Sequence, residues 1–185
     1  MSLEYAILGF LNQHPYSGYD LKKIFDATVR HFWVADQSQI YRTLSRMNEK
    51  DWVEIELIPQ ESRPDRKEYH ITQAGKDELR RWLTTPLPPE PNRSADMIQV
   101  FFAGQLSDEE ALLIFERAAG QMRMGLAQYA QVPRNIEAYS DYTSSPREFY
   151  FGMLTLDVGI HTLQANLEFI EGLIERIKNG EIPAE

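Results

Sequence analysis

Within the stretch SQIYRTLSRM, Gln39, Arg42 and Arg46 carry side chains that can hydrogen-bond the edges of nucleic-acid bases. A guanidinium can donate two bonds to guanine O6 and N7, and a carboxamide can pair with adenine N6 and N7. Arg42 and Arg46 are four residues apart, so on a helix they share a face. No acidic residue interrupts residues 38–47. Ser38 and Thr43 add hydroxyls and Tyr41 a phenol, groups suited to positioning on phosphate oxygens. A second cationic group, Arg63, Arg66 and Lys67, lies in the turn ESRPDRK, where it could neutralise phosphates and release counterions. Tyr19 and Lys22 begin another expected helix and are candidates for a phosphate held by its first turn. Two arginines on a helix are equally compatible with a solvated surface; the elements around them decide between the readings.

Those elements follow from periodicity. Leu3, Ala6, Ile7, Leu8, Phe10 and Leu11 recur at helical spacing and predict a helix near residues 2–13, ended by His14-Pro15. Ser17-Gly18-Tyr19-Asp20 reads as a turn with an N-cap, and Tyr19, Leu21, Ile24 and Phe25 as the apolar side of a second helix. A third helix near residues 37–50, capped by Asp36 or Ser38, turns Ile40, Leu44 and Met47 inward. Residues 52–59 alternate as a strand, residues 67–71 return, and Thr72 caps a fourth helix with no Glu or Gln at the capping-box position. Three helices, a hairpin and a helix are the anatomy of a winged helix-turn-helix, whose third helix enters a major groove. The expected partner is therefore double-stranded DNA.

TTPLPPEPNRS, residues 84–94, has four prolines in eleven residues and predicts a semi-rigid linker. The expected division is a DNA-binding domain at 1–84, a linker at 85–94 and an all-helical domain at 95–185. The fold class is thus mainly α (α+β). Helices are expected at about 95–104 and 107–131, with residues 134–145 undecided and a long helix at 146–178. On that last helix Phe149, Met153, Leu156, Ile160, Leu163, Leu167, Ile170, Ile174 and Ile177 form an unbroken stripe at alternating spacings of four and three. A second copy of the chain is the economical partner for such a stripe. The helices of residues 95–131 in the same chain are the alternative, and both roles are compatible.

The net charge is −9, yet its distribution is uneven. Residues 1–84 carry 12 Lys/Arg against 13 Asp/Glu, whereas residues 85–185 carry 7 against 15. Exposed charges are screened over about 8 Å at physiological salt, so a local basic face governs docking. Cysteine is absent, which excludes disulfides and thiolate chemistry and suits a reducing cytoplasm. No apolar run approaches the roughly 20 residues of a membrane span, and the opening MSLEYAILGFLNQHP, with Glu4 and no basic start, is not expected to be a signal peptide. No phosphate loop, nucleophile elbow or ligand cluster is evident, so neither an enzyme nor a cofactor or metal is expected. Asp157 and His161 are four apart but lack a third ligand. Trp33, Phe101, Phe102, Tyr129, Tyr139, Tyr142 and Tyr150 could line an aromatic cavity, although such residues more often form core.

The chain resembles the PadR family of bacterial transcriptional regulators. SLEYAILGFLNQHPYSGYDLKKIF is similar to that family's opening helix and glycine-tyrosine element, SQIYRTLSRMNEKDWVE to its recognition helix, and RKEYHITQAGKDEL to its second wing strand and fourth helix. The proline-rich joint and helical tail resemble its longer subgroup. The resemblance implies a homodimer on an inverted-repeat operator, most often a repressor released by a small phenolic or drug-like effector, with the effector's residues unidentified. Pro64 and Asp65 depart from the family's more basic wing tip. The competing reading is a coiled-coil or small-molecule-binding interaction protein that does not use DNA.

Overall fold

Helix α1 (Ser2–Leu11) precedes a two-residue strand β1 (Tyr16–Ser17), helix α2 (Gly18–Thr28) and helix α3 (Gln37–Glu49). Strands β2 (Val53–Ile58) and β3 (Arg66–Ile71) and helix α4 (Gln73–Thr84) complete this half of the chain. Three further helices follow, α5 (Ala95–Phe102), α6 (Asp108–Ala130) and α7 (Pro146–Lys178). The computed structural model describes residues 2–60, 65–89 and 94–183. Two compact units result, Met1–Pro88 with Asn135–Gly152, and Pro89–Arg134 with Met153–Glu185.

In the first unit the three strands form one antiparallel sheet in the order β1-β3-β2. β2 and β3 pair from Val53 opposite Ile71 out to Ile58 opposite Arg66, and β1 sets Tyr16 opposite Tyr69. The sequence did not announce β1; Ser17 lies in what reads as a turn, and it also caps α2 by accepting from Asp20 N–H at 3.2 Å. The core gathers Ile7, Leu8 and Leu11 from α1, Leu21 and Phe25 from α2, Ile40, Leu44 and Met47 from α3, and Val53, Tyr69 and Leu79. Val53 alone of the alternating set on β2 is buried; Ile55 and Leu57 are exposed as the hairpin leaves the core. Tyr5 stacks on Trp82 at 4.6 Å and donates to Glu78 at 2.8 Å, which ties α1 to α4.

Two backbone details set the base of the hairpin. Asp51 takes a φ of 56° and ends α3, with Trp52 N–H reaching Met47 C=O at 2.9 Å. Left-handed residues commonly close helices this way, and Asp tolerates the conformation better than most side chains. Gly75 donates its N–H to the Thr72 cap at 3.1 Å. A Cβ there would collide with the Trp52 carbonyl oxygen and lie 2.9 Å from Ile71 Cγ1. That approach explains why no Glu or Gln stands at the capping-box position.

The expected contiguous division is corrected by residues 135–152, which pack with the first unit. Tyr139 is buried against Phe149, ring centroids 5.7 Å apart, and Tyr16 donates to the Asp141 carbonyl at 3.4 Å. Nothing in the sequence pairs this irregular segment with β1.

In the second unit α6 and α7 run antiparallel. Lys178 pairs with Glu116, Arg123 with Glu171 and Arg134 with Asp157, a ladder in which one number falls as the other rises. Ala111, Phe115 and Ala119 of α6 meet Ile170, Ile174 and Ile177 of α7, flanked by Leu167. Gly125 lets Leu163 approach, since a Cβ would sit 2.9 Å from it. The α7 stripe is therefore seated on α6 of the same chain along much of its length. This was the alternative to a seam formed between copies.

Candidate nucleic-acid interface

Helix α3 is built to be rigid at its start. Asp36 accepts from Gln39 N–H at 2.7 Å, and Gln39 Oε1 accepts from Asp36 N–H at 3.0 Å, a reciprocal capping box. Ser38 Oγ donates to Asp36 at 2.7 Å. That hydroxyl, with the Gln39 N–H, holds the Asp36 carboxyl below the usual carboxylate range. Ile40, Leu44 and Met47 are fully buried, so rotation of the helix about its axis is fixed by packing. At about 100° per residue, Ser38, Arg42, Ser45 and Glu49 face directly away from that stripe.

The sequence-derived candidates fare differently. Arg42 is exposed and forms no ion pair among the described residues, and its charge acts at longer range on the Asp36 carboxylate. Arg46 is exposed but held: its Nη2 donates to Thr43 Oγ1 at 3.3 Å and stands 3.9 Å from Glu4 Oε1. Thr43 is only 2% exposed, so it is corrected from a phosphate contact to a buried support for Arg46. Gln39 accepts the Asp36 N–H through its carbonyl oxygen, so the cap competes with the two-bond reading of adenine expected of it. Ser38 is exposed with its proton committed to Asp36, leaving an acceptor outward. Tyr41 is 42% exposed, and its ring edge lies where a Cβ on Gly18 would be, 2.5 Å away. A side chain at position 18 would therefore displace the tyrosine ring from its present place.

On α2, Tyr19 is exposed with Lys23 Nζ 4.4 Å above its ring, and Lys22 is paired with Asp26 one turn on. On the hairpin, Arg66 bonds Asp20 at 2.9 Å and Glu68 at 3.2 Å, so its charge is largely compensated. Lys67 is exposed. Arg63 lies outside the described residues.

Sequence reasoning missed Ser45 on the outward face, although helical spacing from Arg42 could have found it. It also missed Glu4 and Lys50. Glu4 is 5% exposed on an otherwise apolar helix, with Lys50 Nζ 3.2 Å away and the Lys50 ammonium 4.2 Å over the Trp52 ring. Leu3, Glu4, Trp33, Val34, Gln39, Arg42, Thr43, Ser45 and Arg46 line an open groove of about 590 Å³ alongside α3.

The remaining candidates do not converge. Trp33, Tyr139, Tyr142 and Tyr150 belong to the first unit, and Phe101, Phe102 and Tyr129 to the second. Trp33 packs against the core, Tyr139 is buried and Phe101 is 79% exposed. Asp157 pairs with Arg134, and His161 Nδ1 lies 2.7 Å from the Asp157 carbonyl, which accounts for that pair without a ligand. Among the described residues no helix is long and apolar enough to cross a membrane.

Comparison with known proteins covers both units. Residues 7–81 match the transcriptional regulator PadR-like family, and residues 92–178 match the virulence activator alpha C-terminal family. A probable transcriptional regulator of Mycobacterium tuberculosis is 43% identical over 96 residues, 51% of this chain and 51% of that one. The negative transcriptional regulator PadR of Bacillus subtilis is 35% identical over 115 residues, 62% of this chain and 63% of its own. The matched stretches thus span about half of the first relative and under two thirds of the second. The crystal structure of Bacillus subtilis PadR in complex with operator DNA has a TM-score of 0.80 at 27% identity, covering 96% of this chain and 99% of that chain. The structure of the same protein in complex with p-coumaric acid gives 0.76 at 26% identity, again covering 96% and 99%.

Proposed function

We propose that this chain, whose residues 7–81 match the PadR-like family of transcriptional regulators, acts as a homodimeric DNA-binding repressor released by a small aromatic effector. The observation that carries the DNA-binding part is Arg42, which points away from the core on a helix locked by a capping box and has no ion pair among the described residues. With Ser45 one turn apart and Lys67 on the hairpin, it offers one base-reading group and two backbone contacts. The matched relative whose structure contains operator DNA supports the same use of this fold. Two copies would place their α3 helices in successive major grooves of an inverted repeat, roughly 34 Å apart.

The dimer is supported by side chains that one chain leaves uncovered. Leu154, Val158 and Phe169, with Thr162 and Ala165 between them, share one exposed face of α7. At about 100° per residue this face lies roughly opposite the stripe seated on α6. Met97, Ile98, Phe101 and Phe102 of α5 are exposed as well. Exposed apolar side chains of this kind support an interface there. A second copy covering it is the proposed partner, in place of a seam along the buried stripe. The effector class rests on the relative bound to p-coumaric acid. The pocket between α5, α6 and α7, about 100 Å³, is smaller than drug-sized ligands need, so it is not assigned to the effector.

Arg42→Ala in the full chain, measured by gel shift on a duplex selected for binding, should weaken operator affinity by about 1–3 kcal/mol for each guanine read. Its elution volume should remain that of the dimer. An unchanged shift would remove α3 as the reading helix. The paired state of Lys22 and Arg66 favours one other reading, a helical interaction protein without DNA, and flat binding at low salt would favour it.

A further inference from the structure

Glu4 has no evident reason to be where it is. The helix SLEYAILGFL packs Ile7, Leu8 and Leu11 into the core, and a carboxylate 5% exposed beside them is costly to desolvate unless it is paired. Well-packed apolar residues commonly replace such buried pairs without loss of stability. Stability alone therefore does not account for it. What it does touch is the far end of α3. Its Oε1 is 3.2 Å from Lys50 Nζ, at the helix C-cap, and 3.9 Å from Arg46 Nη2, which also donates to buried Thr43.

We propose that Glu4 is a positioning residue that sets how selectively α3 binds DNA. The inference rests on the DNA-binding reading above. The carboxylate acts in two ways. It holds the Arg46 guanidinium in one orientation on the wall of the groove shared with Arg42, so its planar fork arrives ordered at a base edge. It also compensates the Lys50 ammonium and part of the Arg46 charge, which would otherwise attract any phosphate backbone regardless of sequence. One buried acid thereby favours the correct sequence and withholds affinity from the wrong one.

The test uses the full chain and two duplexes, one selected for binding from a random pool and one with the same composition scrambled, titrated by fluorescence anisotropy over a range of KCl. For Glu4→Gln, affinity for the selected duplex should fall about tenfold while affinity for the scrambled one holds or rises. The salt slope on the scrambled duplex should steepen by about 1 to 2 as Lys50 and Arg46 become available to phosphates. Adding Lys50→Gln to that variant should bring the slope part of the way back. In the otherwise native chain, Lys50→Gln should leave the scrambled-duplex slope nearly unchanged, because that charge is already compensated. Equal weakening of both duplexes with an unaltered slope would reduce Glu4 to a packing role and overturn the proposal. So would a Lys50→Gln slope change as large as that of Arg42→Gln, a readout that does not require Glu4→Gln to fold. If the native chain bound neither duplex, the DNA-binding reading itself would have failed, an outcome separate from these.

Discussion

The first unit closes its core from within, while the second leaves much of its apolar surface outside. Ile7, Leu8, Leu21, Ile40, Leu44 and Met47 are all fully buried, contributed by three helices that surround one another. In the second unit, α5 buries no residue at all, and the buried cluster comes from α6 and α7 alone. Two antiparallel helices can cover only one side of each other. The remaining faces of α7 and α5 keep Leu154, Val158, Phe169, Phe101 and Phe102 in contact with water. A winged-helix unit that is complete in one chain can be rigid by itself. A helical pair with a second apolar face is stable in proportion to what covers that face.

The sharpest way to break this contrast is to place the same charge on each face of α7. Ile174 is 8% exposed against α6, and Ile174→Asp should destabilise the second unit by about 3–5 kcal/mol, the range for an unpaired buried charge. Far-ultraviolet circular dichroism should show the loss of its helices. Phe169 is 58% exposed on the other side, and Phe169→Asp should keep the helical signal while light scattering shifts from dimer to monomer mass. A Phe169→Asp protein that stays dimeric would move the interface elsewhere.

Helix α7 also shows what a sequence can and cannot specify. Its bounds, residues 146–178, are legible because both apolar faces and the polar strips between them share the helical period. The partner of each face is not legible, since the spacing of Ile170, Ile174 and Ile177 is the same whether the opposing helix belongs to this chain or another. The outer face was hidden for a related reason: Thr162 and Ala165 interrupt its large side chains, so it carries no heptad. On α3 the inward stripe was plain, and Arg42 followed from it. Thr43 misled because hydroxyls are common on surfaces, whereas here it lies between Ile40 and Met47 on the buried side. Gln39 carries two readings at once, because capping and base reading use the same amide. Glu4 carries no periodic signal; its meaning depends on Arg46 and Lys50, more than forty residues away.

Two glycines sharpen the comparison at intermediate size. Gly75→Ala forces a Cβ into the Trp52 carbonyl and Ile71, so the first unit should lose about 2–3 kcal/mol in urea unfolding. Gly120, inside α6, has no atom within 4 Å of a Cβ built on it. Gly120→Ala should therefore stabilise the second unit by about 0.5–1 kcal/mol through helix propensity. A Gly120→Ala chain that instead dissociates would mean that a neighbouring copy fills that space, which would extend the interface onto α6.

The smallest expected effect concerns the helix starts, where the two units use one device in opposite order. In α3 the acid is the cap, Asp36, and the amide is Gln39; in α6 the cap is Ser107 and the acid is Glu110, whose carboxylate accepts from Ser107 N–H at 3.0 Å. Both carboxyls are held below their ordinary values, Asp36 chiefly by the Ser38 hydroxyl and Glu110 chiefly by the Ser107 backbone N–H. A carboxyl lowered on folding contributes stability above its unfolded value, near 4, and loses that contribution as pH falls through its folded value. Asp36→Asn keeps a capping side chain but cannot titrate, so the thermal midpoint of the first unit should fall less between pH 7 and pH 3 than in the native chain. Glu110→Gln should do the same for the second unit and leave the first untouched. Both groups are exposed, so salt should shrink each difference, and a shift that grows with ionic strength would assign it to something other than these caps.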